Sequence, residues 1–83
     1  MSGEWHIEVP SRSFGIWHIR IYNDNSERYV STVYGPGMLS TTAAYADDVS
    51  GKTESVRVKS LDPKIRGALE AAYALAIVMM DQN

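Results

Sequence analysis

The step Leu61-Asp62-Pro63 divides the chain into two stretches with different hydrophobic periods, and no other feature restricts the fold as tightly. Asp62 can cap a helix, Pro63 suits a first helical position where no N–H is required, and Leu61 stands ready to pack on the first turn. The pattern therefore predicts a helix from Pro63 to about Met80. Along it Ile65, Leu69, Ala72, Ala76, Met79 and Met80 recur at helical spacing and form the stripe that a sheet would bury.

Upstream of that step the period is two. Trp5, Ile7 and Val9 alternate with His6 and Glu8, which reads as a strand from Trp5 to Val9. Pro10-Ser11-Arg12-Ser13 interrupts it, because proline cannot donate to a ladder and serines favour turns. A second strand begins near Phe14 or Gly15 and runs to Tyr22, with Trp17, Ile19 and Ile21 on one side and Ile16, His18, Arg20 and Tyr22 on the other. Trp5-His6-Ile7-Glu8 is echoed by Trp17-His18-Ile19-Arg20. A hairpin that buries Trp5, Ile7, Val9, Trp17, Ile19 and Ile21 would place His6 and His18 together on the outer face beside Glu8 and Arg20.

The polar run Asn23 to Glu27 closes a turn, and a third strand from Arg28 to Tyr34 pairs back on the second. Gly35-Pro36-Gly37 ends it. Met38 to Ser50 fits neither period and is expected to be a loop with a short strand or one helical turn. A turn at Asp47 to Lys52 leads to a last strand, Thr53 to Lys59, in which Val56 and Val58 alternate with Ser55 and Arg57. The expected fold is α+β and a single domain over residues 1–83. It comprises a small antiparallel β-sheet of about four strands, meander-like, packed against one C-terminal α-helix.

The composition narrows the classes of function. At 83 residues a single core is small, and without cysteine neither disulfides nor thiolate zinc sites can reinforce it, which leaves oligomerisation as a source of stability. The first five residues carry no basic start and no apolar run of the secretory kind, so a cytoplasmic location is expected. Ala71 to Met80 is about half the roughly 20 apolar residues that a membrane-crossing helix needs. Eight basic and ten acidic side chains, for a net charge of -2, are spread along the chain without the basic face of a nucleic-acid binder.

Candidate chemistry is sparse. His6, His18 and Glu8 are a bare minimum for a metal site, and cross-strand polar residues are the plainer reading. Gly51-Lys52-Thr53 ends like a phosphate-binding loop, but Ala46 stands where that loop needs glycine, and a strand follows instead of a helix. No serine sits in a nucleophile elbow, and the acidic turns lack the alternating ligands of a calcium loop. No cofactor, metal or catalytic residue is assigned.

Two surfaces remain. Tyrosine, tryptophan and arginine are the residue types enriched at protein–protein hot spots, and His18, Arg20, Tyr22, Arg28, Tyr34 and Tyr45 are the expected partner-binding residues, together with a loop from Gly35 to Gly51. On the helix, Gly67, Ala71, Ala74 and Val78 follow at spacings of four, three and four, with Ile77 beside them, on the side away from the sheet stripe. Small residues let helices approach closely, so this flank is the expected homodimer interface. The expected function is that of a non-enzymatic interaction module that binds and blocks a larger protein, as small phage-encoded inhibitors of bacterial defence do by class-level analogy. The alternatives are a nucleic-acid-binding sheet using Arg20, Arg28, Arg57, Tyr22 and Tyr34, and a small ligand-binding protein or hydrolase using His6 and His18.

Overall fold

The change of period at Asp62 becomes a change of layer. The computed structural model describes residues 4–82. Its elements in chain order are β1 (His6–Ile7), β2 (Ser11–Ser13), β3 (Ile16–Tyr22), β4 (Glu27–Val33), β5 (Thr42–Asp47), β6 (Thr53–Arg57), a 3-10 turn (Val58–Ser60) and α1 (Pro63–Met80). All strand pairs are antiparallel, in the order β1-β3-β4-β5-β6, with β2 sharing the edge of β3 that β1 occupies. This is the α+β meander under one helix that the sequence predicts, with two strands more than the expected four.

The first additional strand comes from the segment around Pro10. His6 pairs with Tyr22 and Ile7 with Ile21, whereas Ser11 pairs with His18 and Arg12 with Trp17, so one extra residue lies on the β1–β2 side. Val9 and Pro10 together oppose Ile19 as a bulge, which lets proline sit where no ladder donor is required. The insertion reverses the phase of the strand. Pro10 is buried and Val9 is 73% exposed, so Val9 does not join the inner face with Trp5 and Ile7. The residues expected to break the strand, Ser11 to Ser13, instead continue it, and the hairpin closes at Phe14-Gly15. Both turn residues have positive φ, 53° and 79°, as a two-residue turn of the type I′ family requires.

The second additional strand is β5, in the stretch from Met38 to Ser50 where no period is clear. Ala43 and Tyr45 face the helix side and Ala44 and Ala46 the other, so the alternation is real but is carried by small residues. The run from Gly35 to Gly51 is therefore not a loop, since its second half lies inside the sheet between β4 and β6. Two residues, Thr41 and Thr42, are taken up where the ladder shifts register between Val33–Leu39 and Val30–Ala44, and the Ser31 hydroxyl donates to the Thr42 carbonyl at 2.9 Å across the gap.

Three-residue closure of the β3–β4 hairpin depends on Asn23. Its side-chain oxygen accepts from the backbone N–H of Asn25 and Glu27 at 3.0 and 3.1 Å, and Ser26 completes the turn with φ 66°. Asp62 caps α1 by accepting from the Lys64 N–H at 2.8 Å, with Pro63 behind it.

The core lies between α1 and the odd-numbered residues of β3 and β4. Ile19, Ile21, Val33 and Leu69 are fully buried, each gaining about 1.5–3 kcal/mol from leaving water. Trp17, Tyr29, Ala43, Val58, Ala72 and Ala76 complete it. Ala72 and Ala76 present no side-chain bulk, so the helix axis can come close to the sheet. The helix lies mainly over β3 and β1, towards one side of the sheet.

Candidate functional site

One helix covers one face of the sheet, so the even-numbered residues of β3 and β4 are left with no layer over them. The ladder fixes which of them are neighbours: His18 faces Thr32, Arg20 faces Val30, and Tyr22 faces Arg28. His18, Arg20, Tyr22 and Arg28 thus form one contiguous outer patch. It continues into a shallow trough of about 480 Å³ whose lining includes Val30, Ala44, Ala46, Thr53 and Ser55. Small side chains on β5 and β6 make the floor of that trough, a contribution hidden in the sequence by the weak alternation of Thr42 to Asp47.

The side chains of the other two expected partner-binding residues lie elsewhere, although the Tyr45 position borders the trough. Tyr34 follows the end of β4 at the pole of the domain, 57% exposed, beside Trp17, Pro36 and Met80. Tyr45 is on the helix side of the sheet. Its hydroxyl donates to Glu27 Oε2 at 2.5 Å, and its ring lies 5.1 Å from that of Tyr29, which in turn lies 5.3 Å from Trp5. The bond to Glu27 holds the Tyr45 hydroxyl well above its ordinary titration range, and burial raises that of Tyr29. Glu27 also accepts from the Asn23 amide at 2.9 Å, so this network ties β4 to β5 and to the turn.

The two histidines share the outer face without meeting. His6 is opposite Tyr22, with ring centroids 5.2 Å apart, and its Nε2 is 3.4 Å from Asp24. His18 is four residues further along β3, about 13 Å away at the usual strand rise. The sequence echo suggests a pairing that the bulge-containing edge does not adopt. Among the described residues no three of histidine, cysteine, aspartate and glutamate gather closely enough to hold a metal ion. Glu8 does share the outer face with Arg20, at 3.6 Å, as predicted, and Arg28 pairs with Asp48. Both pairs are solvent-exposed and contribute little stability, but each places a carboxylate beside an arginine of the patch.

On the helix, Gly67, Ala71, Ala74 and Val78 are all exposed, on the ridge directed away from the sheet, with Val78 at 53% and Leu75 next to the ridge at 39%. Ile77 is not part of this ridge, being half-buried against the chain's own core. From Ala71 to Met80 the helix has no charged residue on any side. A helix apolar all round is ordinarily covered all round. No helix among the described residues is long and apolar enough to cross a membrane.

One exposed residue escaped the sequence reading. Phe14, at the tip of the β2–β3 hairpin, is completely exposed and has a left-handed backbone, a conformation that asparagine and glycine adopt far more readily. The dipeptide Phe14-Gly15 is the turn itself, so the strand expected from Phe14 or Gly15 begins at Ile16.

No protein-family model matches the chain, and no curated protein or solved structure is significantly similar to it.

Proposed function

We propose that this chain is a non-enzymatic protein-interaction module that pairs with a second copy through α1 and offers the outer face of its sheet to a larger protein, which it blocks by covering. The uncovered ridge Gly67, Ala71, Ala74 and Val78 carries the proposal. The spacing of four, three and four is that of a seam between two helices, and the residues are small enough for close approach. Val78 gains nothing from helix propensity and is half-exposed in a lone chain, so a partner helix gives it the burial it lacks. The sheet face supports the second half of the reading, since Arg20, Tyr22 and Arg28 present aromatic and guanidinium surface of the kind that anchors interfaces. A nucleic-acid reading of the same face is weaker, because Glu8 and Asp48 neutralise two of its arginines.

Sedimentation equilibrium of the wild-type chain and of Ala74→Glu tests the pairing. A dimer at micromolar concentration that Ala74→Glu converts to a folded monomer is the expected result. A wild-type monomer at high micromolar concentration would remove the self-association. Partner capture with Tyr22→Ala and Arg20→Glu tests the sheet face, where both variants should lose a partner that the wild type retains while keeping their circular dichroism.

A further inference from the structure

Four of the chain's eight basic residues, Arg57, Lys59, Lys64 and Arg66, fall within ten positions, where Asp62 is the one carboxylate. The fold gathers the first two of them. β6 ends at Arg57, the chain turns through the 3-10 segment, and the Val58 N–H donates to the Thr41 carbonyl at 2.9 Å, which ties this corner to the register shift ahead of β5. Between the two segments lies a cleft of about 390 Å³ lined by Thr41, Thr42, Arg57, Lys59 and Ser60.

Every lining side chain is a cation or a hydroxyl. Arg57 and Lys59 form no ion pair among the described residues, in contrast to Arg20 and Arg28 on the outer face. The hydroxyls of Thr41, Thr42 and Ser60 have no hydrogen-bond partner among them either. Asp62, the nearest carboxylate in sequence, does not line the cleft and already accepts from the Lys64 N–H. Arg66 approaches from the helix, its Nη1 donating to the Lys59 carbonyl at 3.4 Å, which fixes the backbone of the turn and adds a third positive charge.

We propose that this cleft binds the phosphate group of a small phosphate monoester, with Arg57 and Lys59 as the charge partners and Thr41, Thr42 and Ser60 as hydroxyl donors. A dianion with three terminal oxygens matches two unpaired cations and three free hydroxyls better than a carboxylate does. The volume is that of a small-molecule site. A polymer backbone is disfavoured, because no aromatic ring lines the cleft to stack a base, and Arg20 and Arg28, further along the same sheet face, are already paired with carboxylates. The cleft lies at the end of the same outer face, where Thr42 and Arg57 continue the cross-strand row of Ala44 and Ser55, but it shares no lining residue with the trough.

Backbone-amide NMR of the full chain, titrated with glycerol 3-phosphate and with inorganic phosphate against chloride at the same ionic strength, tests this. Saturable shifts confined to Thr41, Thr42 and residues 57–60 are expected with both phosphates. Arg57→Ala and Lys59→Ala, both at exposed positions, should each weaken binding about tenfold, the loss that goes with one hydrogen bond to a charged group, while Arg12→Ala leaves it unchanged. Shifts that chloride reproduces, or that survive both substitutions, would overturn the proposal. So would a short single-stranded oligonucleotide that alone saturates and moves Tyr22 and Arg28, since the ligand would then be a polymer on the sheet face.

Discussion

Replacing Asn23 by alanine should cost this domain far more than its place in a turn suggests. The side chain is 4% exposed and makes three hydrogen bonds, accepting from the N–H groups of Asn25 and Glu27 and donating to the Glu27 carboxylate. The two neutral bonds contribute about 1 kcal/mol each, and the charge-assisted one adds about 1.5 kcal/mol at the lower end of its range because Glu27 is only half-buried. Water can reach part of the turn and recover some of this, so about 2–3 kcal/mol is the expected loss, against a total of order 5 kcal/mol for a domain this small. Urea unfolding followed by the fluorescence of Trp5 and Trp17, at one fixed protein concentration, should show a midpoint lower by about 2 M for a slope near 1 kcal/mol/M. Asn23→Asp keeps both acceptances but sets a second carboxylate against Glu27. It should be destabilised at neutral pH and recover as the pH falls and the pair takes up a proton. Asp24→Ala, at the neighbouring exposed position, should change stability by less than about 0.5 kcal/mol. An Asn23→Ala loss no larger than that of Asp24→Ala would show that the turn closes without its side chain, and the reasoning would fail.

Two further outcomes follow from the same geometry. The folded state holds the Tyr45 hydroxyl above its ordinary value of 10.0, so the stability it contributes is fully present below pH 10 and is lost as the pH rises beyond it. Tyr45→Phe should therefore cost about 1 kcal/mol at neutral pH and flatten the alkaline limb of the stability curve, and an unchanged alkaline limb would refute the assignment. Phe14→Asn should raise stability by about 1 kcal/mol, a gain of about 4–8 °C in calorimetric melting temperature, because asparagine accepts the left-handed turn and the exposed phenyl ring forfeits no packing.

The layers of the fold were legible where a residue pattern has one physical meaning. Trp17, Ile19 and Ile21 alternate without interruption and are all buried; the helix stripe from Ile65 to Met80 faces the sheet, and Asp62 caps. Legibility failed where a backbone device or a small side chain replaced bulk. A bulge at Val9-Pro10 changes which residues face inward, and nothing local marks that bulge apart from a proline that equally well ends a strand. Alanines in β5 carry the alternation without hydrophobic contrast. Of the expected partner-binding residues, the four on β3 and the start of β4 came together because one unbroken period fixes them. Tyr34 did not, because it follows the end of β4 at the pole, and Tyr45 did not, because it lies beyond a register change that spacing alone cannot locate. The basic residues from Arg57 to Arg66 are close together in the sequence, but the hydroxyls of Thr41 and Thr42 join Arg57 and Lys59 only through strand pairing that no local pattern marks.

The helix that seals the core is made only after all six strands. During synthesis the six strands can pair as successive hairpins as soon as they leave the ribosome, yet Trp17, Ile19, Ile21 and Val33 then face water until Leu69, Ala72 and Ala76 emerge. A nascent chain halted near Ser60 would expose a bare greasy ribbon with an open edge, the kind of species that chaperones retain and that aggregates when they are scarce.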